Sequence, residues 1–201
     1  MAYTERYRKS AEEKAKSETD PEKAKEWHES ADILSRVPEY PAATFREALQ
    51  SFWIVYILVT MEMGGCMPGG GLGLGRIDQF LYPYYIKDIM EEHITKSEAL
   101  ELMEHFLLCF RHVDYYTPHQ LYTPGSQASI GGVTAIATEA SNELTYLIME
   151  ASLRIAMPAP YISLRLHKSA PERYWQACAD YVIGGLGFAI VNDEVLIPAM
   201  M

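Results

Sequence analysis

The chain has 201 residues, which gives room for one domain or at most two. Hydrophobic residues make up 49%, enough for a packed core, so a disordered chain is excluded. The formal net charge of −10 argues against nucleic acid or an anionic membrane surface as a partner.

Residues 2–18 are polar and helix-prone, and M-A-Y-T-E-R-Y-R-K-S-A-E-E-K contains no apolar signal-peptide core. Asp20-Pro21 is a helix-opening pair, with the carboxylate as cap and the proline in the first turn, and the helix should run to about Arg36. V-P-E-Y-P-A-A is a proline-broken connector. Thr44-x-x-Glu47 then reads as a capping box. The helix it opens, Phe45 to about Met63, becomes apolar all round, so it should be buried. Its most apolar run, Phe52 to Met61, is about half the ~20 residues that span a bilayer, so no membrane segment is expected.

Next comes E-M-G-G-C-M-P-G-G-G-L-G-L-G-R, Glu62 to Arg76. It has no G-x-G-x-x-G register and no G-K-[ST], and a helix precedes it rather than a strand. A phosphate cradle is therefore disfavoured. Cys66 within it is either a reactive thiol or a small loop residue. No His, Lys or Arg stands close by in sequence to lower its pKa.

A helix is predicted from Ile77 towards Glu92, kinked or broken at Pro83. Thr95-x-x-Glu98 is a second capping box. After it, Leu100, Met103, Leu107 and Phe110 recur at helical spacing. Residues 113–132 read as irregular. Ser141 is the expected cap of a helix with the stripe Leu144, Leu147, Ile148, Ala151 and Ile155, ended by Pro158 and Pro160.

Tyr161 to His167 alternates strictly, which predicts a strand with Ile162, Leu164 and Leu166 on one face. Tyr161, Ser163, Arg165 and His167 fall on the other. Ala170 to Ile183 reads as a helix stopped by Gly184-Gly185, and Phe188 to Val191 as a short strand. The strand–helix–strand order implies a parallel βαβ unit. The two strands should leave pairing edges unmet. Cys66, Cys109 and Cys178 are few, scattered and odd in number. That suits a reducing compartment, hence the cytoplasm, and no metal cluster is visible. Residues 1–112 thus read as mainly helical and 113–201 as the start of a sheet.

Several stretches in order resemble the glycyl radical enzymes of the pyruvate formate-lyase and glycerol/diol dehydratase type. They are F-R-E-A-L-Q-S-F-W (from Phe45), G-R-I-D-Q-F-L-Y-P-Y-Y (from Gly75), I-G-G-V-T (from Ile130) and S-N-E-L-T-Y-L-I-M-E-A (from Ser141). P-Y-I-S-L-R-L-H and G-G-L-G-F-A-I-V-N-D-E-V-L-I-P continue the series. The resemblance covers nearly the whole chain. It implies a helix-rich α/β fold, part of a ten-stranded α/β barrel with surrounding helices. In that family a loop cysteine becomes a thiyl radical, and a second loop carries a radical glycine installed by an S-adenosylmethionine-dependent activase. Both loops are expected downstream of Asn192-Asp193. The chain therefore reads as an internal fragment of an enzyme of anaerobic metabolism, with no cofactor bound directly, no catalytic residue and no activity alone.

The same resemblance implies the partners: a small-molecule substrate, the activase, the remainder of the enzyme chain and a second copy in a homodimer. In diol-dehydrating members a His-Ser pair precedes G-R-x-D-Q. Gly70 and Gly71 stand there here, which puts diol dehydration in doubt and leaves volume for a bulkier substrate. These glycines either line a substrate cavity or make a structural turn. Gln127 and Ser129, in Y-T-P-G-S-Q-A-S-I-G-G, are candidates for the opposite wall. Arg165 and His167 are either substrate contacts or salt-bridged scaffold. Asp78 reads as a helix-start carboxylate and Asn192-Asp193 as a turn. Dehydratase, C–C lyase or decarboxylase, and hydrocarbon-adding chemistry all stay open, and the alternative is a non-catalytic helical scaffold or interaction protein derived from the same fold.

Overall fold

The computed structural model describes residues 2–62, 72–115, 126–157, 160–186 and 188–200. They form two compact units divided between Glu62 and Met63.

The first unit is three helices: α1 (Ala2–Ser17), α2 (Pro21–Arg36) and α3 (Phe45–Glu62). Asp20 caps α2 by accepting the Glu22 N–H at 3.0 Å. Ala11, Ala15 and Ala31 are buried; side chains this small let α1 and α2 lie close together. Arg46 and Arg36 reach Glu29 and Glu47 at 2.6 and 3.2 Å. At the start of α3 the Glu47 N–H donates to Thr44 Oγ1, while the Glu47 carboxylate accepts the Ala43 N–H. The expected all-round burial of α3 is corrected. Phe45, Ala48, Leu49, Ile54 and Tyr56 are buried, but Val55, Leu58, Val59 and Met61 face solvent. An apolar sequence states a preference for burial, and among the described residues of this unit no other helix covers that part of α3.

The second unit is built on a four-stranded parallel sheet in the order β1 (Gly73–Arg76), β2 (Gln127–Gly131), β3 (Tyr161–Leu166), β4 (Phe188–Asn192). Parallel neighbours need crossovers, and helices supply each one. Three lie between β1 and β2: α4 (Ile77–Phe80), α5 (Tyr82–Met90) and α6 (Lys96–Tyr115). One lies between β2 and β3, α7 (Glu143–Ile155), and one between β3 and β4, α8 (Glu172–Ile183). A last helix, α9 (Asp193–Met200), leaves β4 directly. The expected break falls at Leu81, with Pro83 in the first turn of α5. The Thr95/Glu98 box is complete, each backbone N–H meeting the other's side chain.

Three expectations need correction. Residues 127–131, read as irregular, form β2; its Q-A-S-I-G has too many small residues for a strand pattern to stand out. The cap of α7 is Asn142, not Ser141, and its partner in the box is Thr145. Finally β3 has no free edge, because β2 and β4 flank it. Among the described strands, only the outer edges of β1 and β4 are unpaired.

The sheet has two different faces, as the period of two requires. Ala128, Ile130, Ile162 and Leu164 are fully buried. They join a core that includes Met103, Leu107 and Phe110 of α6, Leu144 and Ile148 of α7, and Tyr174 and Tyr181 of α8. The opposite face carries Gln127, Ser129, Ser163 and Arg165.

Candidate functional site

All four strands point the same way, so their C-terminal ends form one rim. There the loop from Gly131 to Asn142, joining β2 to α7, is gripped from three sides. From the β1 side, the Arg76 guanidinium donates to Val133 O at 2.8 Å and to Gly131 O. Burial, and then the neighbouring charge of Arg165, lowers the Arg76 pKa from its ordinary value. Asp78, fully buried, accepts the Gly131 N–H at 2.7 Å and the Thr145 hydroxyl at 2.8 Å through Oδ2. Its backbone carbonyl accepts the Asn142 side-chain amide at 2.9 Å. One carboxylate thus fixes both the end of β2 and the start of α7. Gln79 adds a bond to Ala140 O at 2.7 Å.

From the β4 side, Asp193 at the start of α9 accepts the Val133 N–H at 2.9 Å through Oδ2. Its Oδ1 holds Arg165 Nε at 2.8 Å. From β3, His167 Nε2 meets Glu139 Oε2 at 2.9 Å, and Glu139 Oε1 accepts the Ser141 N–H at 2.6 Å. The Tyr174 hydroxyl donates to Arg165 O and Ile130 O. Burial pushes that phenol up, so it remains a donor.

The loop can be gripped so closely because it begins with two glycines in the left-handed region, Gly131 (φ 69°) and Gly132 (φ 80°). A Cβ on Gly131 would strike the Tyr174 hydroxyl, and one on Gly132 would strike the Asp193 carboxylate and Arg165.

The sheet brings Gln127, Ser129 and Arg165 to one face, with Ser129 directly beside Ser163 in register. Gln127 Nε2 donates to Ser163 Oγ. Ser129 makes no side-chain hydrogen bond among the described residues. His167 does not join that face: it lies one residue past the end of β3 and is buried against Glu139. Gly70, Gly71 and Cys66 lie outside the described residues. Cys109 and Cys178 sit on α6 and α8. Burial pushes both thiols up, that of Cys178 to about 11. Sequence reasoning passed over the clamping roles of Asp78, Glu139 and Asp193. For Asp78 and Asp193 the available signal was the density of polar residues in R-I-D-Q and V-N-D-E around otherwise apolar elements, whereas A-T-E-A around Glu139 offered none. Their partners lie far away in the chain. Among the described residues no His/Cys/Asp/Glu cluster could hold a metal ion, and no helix is long and apolar enough to cross a membrane.

A family model described as pyruvate formate lyase-like matches residues 1–201. The isethionate sulfite-lyase of Nitratidesulfovibrio vulgaris is 34% identical over 98% of this chain, which covers 24% of that protein. The 4-hydroxyphenylacetate decarboxylase glycyl radical subunit of Clostridioides difficile is 31% identical over 88% of this chain and 20% of its own length. Among solved structures, one concerned with 1,2-propanediol dehydration in Roseburia inulinivorans superposes with a TM-score of 0.87. It is 31% identical, with 98% of this chain and 25% of that one covered. The chain therefore spans about a quarter of the length of the relatives it matches.

Proposed function

The chain belongs to the pyruvate formate lyase-like family of glycyl radical enzymes, and we propose that it supplies one wall of such an enzyme's substrate chamber. The enzyme would be a lyase, dehydratase or decarboxylase acting on a small organic molecule. The observation that carries this reading is the two-sided sheet. One face is apolar core, while the other presents Gln127, which is exposed, and Ser129, which is half-buried, above the buried Ser163.

Within that reading Gln127 and Ser129 touch substrate, and Gly70 and Gly71 form the facing wall. Glycines there leave room for a group larger than a diol. Arg165 and His167 serve the frame, since Asp193 and Glu139 already engage them. A bound molecule would be oriented by Gln127 and Ser129, and water kept out by the pinned rim.

The family's radical chemistry needs a hydrogen-abstracting thiol and a radical glycine. Cys109 and Cys178 do not fit that role, lying on helices rather than on a loop, and Cys66 precedes G-R-I-D-Q instead of following N-D-E. No reaction step is therefore assigned to the residues of this chain. The remainder of the enzyme, an S-adenosylmethionine-dependent activase and a second copy are its partners under this proposal, and the cytoplasm its compartment.

Two experiments test it. In the intact enzyme, Gln127→Ala and Ser129→Val should raise KM about tenfold with an unchanged melting temperature. Arg165→Met and His167→Phe should lower the melting temperature instead. KM shifts from the second pair alone would overturn the assignment. The 201-residue chain, incubated anaerobically with activase and S-adenosylmethionine, should give no glycyl doublet by electron paramagnetic resonance. A doublet would put Cys66 and the chain's own glycines back at the centre of the chemistry.

A further inference from the structure

We propose that the helical unit, residues 1–62, carries a binding site for a small aromatic carboxylate. The site is a cavity of about 290 Å³ whose walls include Tyr3, Tyr7, Lys14, Trp27, Ser30 and Trp53. It shares no residue with the sheet face described above, and it does not depend on the substrate assignment made there.

Size and shape come first. An apolar cavity of about 150 Å³ is enough to hold benzene. One of about 290 Å³, open on one side, has room for a single ring with a short side arm. Four aromatic rings from α1, α2 and α3 supply flat walls. Such walls favour a planar guest over a branched aliphatic one of equal volume.

Charge then selects among planar guests. The residues lining the cavity include no Asp or Glu. Lys14 is the one cation among them, and its Nζ stands 4.4 Å from the centre of the Trp27 ring. Arg8 and Lys9 on the same helix are instead held by glutamates, Arg8 by Glu5 and Glu12 and Lys9 by Glu5. In a chain of net charge −10, an ammonium group left to an aromatic ring is the complement of a carboxylate. It can take that carboxylate without leaving the ring.

The phenols add direction. Tyr3 donates to Tyr7 at 3.3 Å, which leaves the Tyr7 proton to give to a guest. Burial and this bond push the Tyr3 hydroxyl up to about 12, so it stays a donor at neutral pH.

The test uses the full chain carrying Trp175→Phe, so that Trp27 and Trp53 alone fluoresce. The probes are 3-phenylpropionate and its neutral amide, with equilibrium dialysis giving the stoichiometry. We expect saturable binding of the acid at one site per chain. Lys14→Met keeps the apolar stem and should weaken the acid about fivefold while leaving the amide unchanged. Ser30→Phe fills the cavity and should abolish both, with helix content by circular dichroism retained. Lys14 is exposed, so Lys14→Met decides the question if Ser30→Phe fails to fold. No saturable response, several weak sites per chain, or an equal effect of Lys14→Met on acid and amide would each overturn the proposal.

Discussion

On α1, Arg8 is clasped by Glu5 and Glu12, three and four residues away, with all three side chains partly in water. In the sheet unit Asp78 accepts from Gly131 and Thr145, 53 and 67 residues away, and none of it reaches water. The first pattern recurs at Lys9–Glu5 and Lys25–Glu29. The same long reach, with partial burial, recurs at Arg76–Val133 and Asp193–Val133, spanning 57 and 60 residues. Exposed local ion pairs contribute little, because water and salt already satisfy both partners. Buried long-range contacts behave differently: deleting one member strands the other in a medium without water. Stability in the helical unit should therefore be spread over many small terms. In the sheet unit it should be concentrated around the rim.

The largest effect should come from Gly131→Ala. The new methyl group meets the Tyr174 hydroxyl, and the backbone sits in a region costly for alanine. Overpacking and strain together should remove about 3 kcal/mol or more, read by urea unfolding. A loss below about 1 kcal/mol would mean that Tyr174 swings aside freely, and the rim would not be the rigid region inferred here. Next is Asp78→Ala, which leaves the Gly131 N–H and the Thr145 hydroxyl without their acceptor. About 2–4 kcal/mol should be lost. By contrast, Lys25→Ala on α2 should shift nothing resolvable in the same titration.

Two helix caps sharpen the comparison, because their chemistry is alike and their surroundings are not. Asp20 accepts one N–H in the open, and Asp20→Ala should cost about 0.5–1 kcal/mol. Asn142 caps α7 and also donates to the Asp78 carbonyl, so Asn142→Ala should cost about 1–2 kcal/mol. Equal losses would show that the long-range bond adds nothing.

The same division explains what could be read in advance. Asp20-Pro21 and Thr95-x-x-Glu98 announce helices within a few residues, and the alternation of Tyr161 to Leu166 announces a strand. Gly73 to Arg76 and Gln127 to Gly131 became strands for a reason outside themselves. Each lies beside a neighbour some fifty residues away, and small residues carry no pattern of their own. Of the candidate site, Arg165 was visible as a polar residue on an alternating strand. Its partner Asp193 was not, because V-N-D-E gives no hint of what it faces. The rim became legible only once parallel pairing had aligned four strand ends.

The smallest effects are those of pH, and here the two regions should differ in sign. The hydrogen bond from Arg8 draws the Glu5 carboxyl from 4.5 down to about 2, outweighing its partial desolvation. The folded chain therefore binds that proton more weakly than the unfolded one. The resulting stability is present above 4.5 and is lost as pH falls towards about 2. For Asp78, burial raises the pKa above the usual 3.8, against the opposing bonds from Gly131 and Thr145. The folded chain holds that proton more tightly, so acidification from neutral pH through the raised pKa should stabilise it, levelling off below 3.8. Melting curves of wild type, Glu5→Gln and Asp78→Asn across this range separate the two. Asp78→Asn should remove the rise on mild acidification, and Glu5→Gln should flatten the fall at stronger acid. Salt at about 0.5 M should erase the Glu5 difference, because that pair is in solvent, and leave the Asp78 difference standing. An Asp78 effect that also vanished in salt would mean that water reaches the carboxylate, and the contrast between the two regions would fail at its strongest point.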